Sequence, residues 1–178
     1  VNERTRVVWI ANPNNPTGHL LSEPELHRVV ELADRVGAYV LTDEVYRGLE
    51  WLNRPTLSAA RVYERGISTG SVSKALGLQG LRTGWLICRN AQLVFDSVVL
   101  REDTSEIMNI MGEVIADIAL GESRYPQAVA RARQEGRCNL DLLDRFIYDC
   151  PALAWHRPQA SLIGFCRLDL PISADAFA

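Results

Sequence analysis

The chain has 178 residues, 47% hydrophobic and 23% charged, with a formal net charge of -3. That composition fits a globular protein with room for one domain, or one and part of another, and its charge gives no reason to invoke nucleic acid or an anionic membrane. No apolar run approaches the ~20 residues that span a bilayer, and Val1-Asn2-Glu3-Arg4 has no signal-peptide character, so a cytoplasmic location is the expectation.

Arg6 to Ala11 is a short apolar run ending in Asn-Pro-Asn-Asn-Pro, which predicts a buried strand entering a turn. Ser22 and Glu25 form a capping-box pattern. Leu26, Val29, Val30 and Ala33 follow at helical spacing, and Gly37 closes the helix. Ala38 to Thr42 is strand-like and delivers Asp43 at its carboxyl end. Gly66 to Thr69 predicts a strand running into Gly70-Ser71-Val72-Ser73-Lys74, and Leu81 to Cys88 another.

Strand, helix, strand, loop, strand is the order of an α/β domain with a largely parallel sheet. Ligands of such sheets gather beyond the carboxyl ends of the strands, where Asn15, Asp43 and Ser71 all fall.

The second half reads as mainly helical. Ile107, Met108, Met111, Val114, Ile115 and Ile118 make an apolar stripe expected to be core. A long helix is expected over 123–148, with Leu140, Leu143, Phe146 and Ile147 on its apolar face. Gly136 weakens it by ~1 kcal/mol relative to alanine. Two strand-like pieces, Leu153 to His156 and Ser161 to Leu170, complete a smaller α+β unit. The domain expectation is therefore 1–122 and 123–178.

The four cysteines (Cys88, Cys138, Cys150, Cys166) contain no C-x-x-C pair and are expected to be reduced and mostly buried. The three histidines are scattered, which supports neither a metal site nor a Ser-His-Asp triad.

The chemistry-bearing residues lie in the first half. A lysine following two serines, with Arg82 eight positions on in Gly80-Leu81-Arg82-Thr83-Gly84-Trp85, combines an amine with donors for a phosphate. An imine-forming amine beside a phosphate clamp is what pyridoxal phosphate (PLP) requires.

Three blocks in order, Ala11-Asn12-Pro13-Asn14-Asn15-Pro16-Thr17-Gly18, Thr42-Asp43-Glu44-Val45-Tyr46 and Ser71-Val72-Ser73-Lys74 with Arg82, carry a family likeness. In them the chain resembles the fold-type I PLP-dependent enzymes of the aminotransferase class I/II group, over nearly half its length. The resemblance implies that Lys74 holds the cofactor as a Schiff base and shuttles the substrate proton, for which its amine must be available neutral. It implies that Asp43 pairs with the pyridine nitrogen, and that Asn15 and Tyr46 donate to the phenolic oxygen. Ser71 and Arg82, with Ser73 as a weaker candidate, take the phosphate.

It further implies an α/β PLP-transferase-like large domain followed by part of a small α+β domain. The expected function is amino-group transfer between an amino acid and a keto acid in a homodimer. The glycine-containing phosphate loop, the ring-stacking aromatic and the substrate-carboxylate arginine of the family are not recognisable. Arg167 does not match that arginine's position, so the expectation is an interior segment of a longer enzyme.

Two alternatives stay open. One is another PLP-dependent reaction: a decarboxylase, a C–S lyase, or a cyclase or oxidase of an arginine derivative in antibiotic biosynthesis. The other is an aminotransferase-like ligand-sensing domain of a transcription regulator, which requires a helix-turn-helix partner.

Overall fold

The computed structural model describes residues 1–52, 55–105 and 107–177. Three strands, β1 (Val7–Ala11), β2 (Tyr39–Asp43) and β3 (Gly66–Ser71), run parallel, and β4 (Gly84–Cys88) closes the sheet antiparallel to β3 in the order β1-β2-β3-β4. The strands match the expected segments with two differences: β1, expected to be buried, lies at the sheet edge with Val7 and Trp9 exposed, and β4 starts late. Gln79–Leu81 forms a 3-10 turn and Arg82 takes a left-handed backbone (φ 53°), so the extended chain starts only at Gly84.

The crossover from β1 to β2 is α1 (Glu23–Asp34). The Glu25 carboxylate accepts from both the hydroxyl and the amide of Ser22, which holds its pKa below the ordinary value. Leu26 and Ala33 are buried, while Val29 and Val30 pack on a core of Ala33, Ala38, Val40, Ala59 and Tyr63. A short helix, α2 (Ala59–Val62), delivers Ala59 to that core.

A second core lies beneath the carboxyl ends of the strands. It joins Tyr46, Leu49 and Trp51 to Ala75 of the lysine loop and to Val129 and Leu140 of α5 (Arg124–Asp149). Helices α3 (Ala91–Ser105) and α4 (Ile110–Leu120) precede α5; β5 (Leu153–Trp155), β6 (Cys166–Leu168) and α6 (Ala174–Phe177) follow it. The pair β5–β6 is antiparallel and shorter than the strand-like sequence around it.

Three expectations need correction. The 107–118 stripe is not core: Ile107, Met111, Val114, Ile115 and Ile118 are exposed, Met108 is only half-buried, and α4 buries only Gly112 and Ala116. Periodicity shows that a helix is apolar on one side, not that something covers that side. Phe146 of α5 is likewise exposed, because the inward face runs through Val129, Leu140 and Ile147. The cysteines are free, but Cys138 and Cys166 are exposed and the other two only half-buried.

Gly136 gains a role its helix propensity hides. A Cβ there would lie 2.5 Å from the Trp51 ring, so glycine is what lets α5 approach the buried indole. The neighbouring turn of α5 supplies Arg133, whose Nη2 donates to Glu50 at 2.8 Å and whose Nε donates to the Gly48 carbonyl at 2.7 Å. Glu50 is only 1% exposed, and its other oxygen accepts from the amide and hydroxyl of Thr56. Burial works to raise its pKa, but these hydrogen bonds from Thr56, the backbone and Arg133 outweigh it and hold the carboxyl below the ordinary value.

Two outcomes follow. Gly136→Ala, which propensity alone would favour by ~1 kcal/mol, instead lowers unfolding free energy by ~1–3 kcal/mol in denaturant titration, because the added methyl overpacks Trp51. Because the folded pKa of Glu50 is depressed, its stabilisation is complete above the unfolded value of about 4.5 and disappears as pH falls through the folded value. Thermal unfolding below about pH 4.5 should therefore depend less steeply on pH in Glu50→Gln, which is also less stable near neutrality.

Candidate active site

Backbone register assembles the first part of the site. Ala11 pairs with Asp43 and Asp43 with Thr69, so the carboxyl ends of three parallel strands lie side by side. The Asn12 amide donates to the Asp43 carbonyl at 2.9 Å, and the Glu44 amide to the Thr69 carbonyl at 2.8 Å, which carries the pairing past the last strand residues. Asp43 and Ser71 are themselves terminal strand residues rather than the first loop residues.

From β3 the chain enters the lysine loop. The Leu78 amide closes the loop onto the Val72 carbonyl, and the Val72 amide donates to Thr83. Ser71 pairs with Gly84, which brings Arg82 back beside the start of the loop it left. The two predicted phosphate ligands thus share one end of the β3–β4 ladder. Arg82 is exposed, and its Nη1 donates to the Gln79 carbonyl at 2.9 Å, an anchor that leaves the other guanidinium nitrogens for a further acceptor. Ser71 Oγ accepts from the Ser73 amide at 3.2 Å.

The most direct contact between predicted residues joins the second and third blocks. Lys74 Nζ sits 5.7 Å from the centre of the buried Tyr46 ring, within cation–π range. Asp43 is half-buried, and its Oδ1 accepts from the Val45 amide at 3.2 Å. That Asx-type bond fixes the carboxylate at the entry to the turn that carries Tyr46. Among the described residues, Asp43 has no cationic partner, and the Asn15 amide and Tyr46 hydroxyl have no hydrogen-bond partner. Asn15 is exposed, in a turn closed by bonds from Gly18 to Asn14 and from Asn14 to His19, each 2.9 Å.

The residues do not share one hollow. Lys74 lines an open groove against α5 with Ala128, Arg131, Ala132 and Asn139. Ser71 lines a separate, partly open cavity of about 250 Å³ with Glu44, Ser68, Trp85 and Tyr125. Trp85 is exposed.

Sequence reasoning passed over what lies under the site. Thr42 and Glu44, on either side of Asp43, are buried. The Thr42 hydroxyl donates to Glu44 Oε1 at 2.8 Å and lies 3.0 Å from Ser68 Oγ, which is 2.6 Å from Ser58 Oγ. Arg47 Nε donates to Glu44 Oε2 at 2.9 Å. This row of side chains pins the strand on both sides of Asp43, and alternation along β2 was the signal that could have found it. Asn12 is buried too. Its Oδ1 accepts from the Leu21 amide, while Nδ2 has no partner among the described residues.

Among the described residues no group of three or more His, Cys, Asp or Glu side chains could hold a metal ion, and no helix is long and apolar enough to cross a membrane.

In sequence and fold the chain is similar to known aminotransferases. A histidinol-phosphate aminotransferase of Bacillus pumilus (strain SAFR-032) is 44% identical over 155 residues, covering 82% of this chain and 40% of the relative. An aspartate aminotransferase of Musicola paradisiaca (strain Ech703) is 36% identical over 89 residues, 48% of this chain and 22% of the relative. The solved structure of a PLP-dependent aminotransferase from Streptococcus suis 89-1591 superposes with a TM-score of 0.91 at 31% identity, covering 99% of this chain and 46% of that one. The chain thus spans less than half the length of each. The family model for aminotransferase class I and II matches residues 1–137, and with the aligned strand ends and the lysine loop already described, the chain belongs to that family.

Proposed function

We propose that this chain is the part of a PLP-dependent aminotransferase that holds the cofactor. The observation that carries the reading is the register Ala11–Asp43–Thr69, which sets the Asn15, Asp43 and Lys74 blocks around one edge of the sheet, with Lys74 Nζ 5.7 Å from the Tyr46 ring.

The donor set fits the group. PLP carries a phosphate dianion, a phenolic oxygen, an aldehyde and a ring nitrogen that works best when protonated. Against these stand the Arg82 guanidinium with the Ser71 and Ser73 hydroxyls, the Asn15 amide with the Tyr46 hydroxyl, the Lys74 amine, and an Asp43 carboxylate without a cationic partner among the described residues. When bound, PLP supplies an electron sink for the pair left at the substrate Cα and a temporary place for the amino group.

The chain's own residues do the rest. Lys74 Nζ would hold the cofactor and, as a neutral amine, would take the proton from the substrate Cα. The Asp43 carboxylate favours the protonated ring nitrogen, while Asn15 and Tyr46 stabilise negative charge on the phenolic oxygen. Arg82 and Ser71 would hold the phosphate and so orient the group. The net reaction moves an amino group from an amino acid to a keto acid.

On this reading residues 1–122 belong to the larger, cofactor-binding domain and 123–178 open a smaller one. The whole protein acts as a cytoplasmic homodimer on small-molecule substrates, without nucleic acid or membrane partners. The exposed apolar side of α4 supports further protein surface covering it.

Borohydride reduction of the PLP-loaded protein should fix the label on the peptide containing Lys74, read by mass spectrometry; a label on another lysine refutes the assignment. Asp43→Asn should still take up PLP but slow isotope exchange at the substrate Cα, by an amount within the ~10²–10⁴-fold that a positioned proton transfer contributes. Unchanged exchange removes Asp43 from its role. In the half-reaction, amino donors tried one by one without an acceptor should convert the PLP-loaded whole protein to the pyridoxamine form of the cofactor, and its absence with every donor sinks the transaminase reading.

A further inference from the structure

The turn containing Asn15 and the loop following Tyr46 touch a common third element. Gly18, which ends the Asn15 turn, offers its carbonyl to the amides of Gln159 (3.0 Å) and Ala160 (3.1 Å). The Gln159 side chain returns the bond, its Oε1 accepting from the Leu20 amide at 3.0 Å. On its other side the same segment grips the loop after Tyr46. The Trp51 amide donates to the Gln159 carbonyl at 2.9 Å and the Ser161 amide to the Leu49 carbonyl at 3.2 Å, with Glu50 bridging antiparallel to Ala160. Leu49 is tied directly to Tyr46 by an amide-to-carbonyl bond of 3.0 Å.

The fit is tight. A Cβ on Gly18 would lie 2.4 Å from Pro158 Cβ and 2.6 Å from the Ala160 carbonyl oxygen. Pro158, Ala160 and Ser161 are buried, and Ser161 holds a left-handed backbone (φ 87°) to make the passage.

We infer that residues 158–161 are a positioning brace that fixes the Asn15 turn relative to the Tyr46 loop. This rests on the proposed role of those two side chains as paired donors to the cofactor's phenolic oxygen. Two donors more than 30 residues apart can meet one oxygen only if their backbones keep a fixed separation, and hydrogen bonds at 2.7–3.2 Å tolerate little slack. The strands hold Ala11 and Asp43; the brace holds the two loops that leave them. Gln159 acts through both loops and touches no reacting atom.

The test uses three variants. Gln159→Met keeps the side chain's length but removes the acceptor for Leu20, Gln159→Glu keeps an acceptor oxygen, and Gly18→Ala pushes the brace off the turn. Gln159 is exposed, so its variants leave the core untouched. In the cofactor-free chain, Gln159→Met should speed hydrogen exchange at the Leu20 amide by about tenfold, and Gln159→Glu should restore it.

In the chain loaded with PLP, misplaced donors stabilise the phenolic oxyanion less, so the neighbouring proton is held to higher pH. The pH midpoint of the visible absorption should therefore rise by about half a unit or more in Gln159→Met and in Gly18→Ala, and return in Gln159→Glu. A loaded wild-type chain whose midpoint stays unchanged in Gln159→Met and Gly18→Ala overturns the brace alone. A whole wild-type protein that takes up no PLP overturns the cofactor reading and the brace with it.

Discussion

Parallel pairing of β1, β2 and β3 is the constraint on which the rest of the molecule depends. Parallel strands put all their carboxyl ends on one edge, and this register makes Ala11, Asp43 and Thr69 neighbours. Sliding β2 by one residue would turn Asp43 to the opposite face and send the buried pair Thr42 and Glu44 toward the site. The hydroxyl and carboxylate row from Ser58 to Arg47 guards against such a slip, since a buried polar set satisfied in one register is left unpaired in another.

Above that edge the work passes from sheet hydrogen bonds to packing. The core of Tyr46, Leu49, Trp51, Ala75, Val129 and Leu140 binds the lysine loop, the Tyr46 segment and α5 into one unit. The Glu50–Arg133 pair and the fit of Gly136 on Trp51 secure the same junction, and residues 158–161 close it from the far side. The loops that carry the proposed cofactor ligands are thereby held by neighbours distant in sequence, which suits exposed groups such as Asn15, Lys74 and Arg82 that would otherwise move freely.

What was readable in the sequence was local. The capping box at Ser22, the strands at 7–11 and 39–43, and the three polar blocks carry their meaning in a few adjacent residues. What was not readable depends on distant partners. Glu50 and Arg133 are 83 residues apart, and only an acidic residue set between Leu49 and Trp51 hinted at a buried charge. Gly136 counted as a helix weakness until Trp51 was seen against it. The brace works mostly through backbone groups, which no residue type advertises. The apolar side of α4 misled because amphipathicity is a property of the helix, whereas burial is a property of its surroundings.

The central claim is that Lys74 is the amine through which this site holds its cofactor. Visible absorption of the whole wild-type protein and of its Lys74→Ala variant, each titrated with PLP and then passed through a desalting column, tests it directly. The account predicts a retained, pH-dependent band in the wild type and its loss in Lys74→Ala. The same retained band in Lys74→Ala would contradict it.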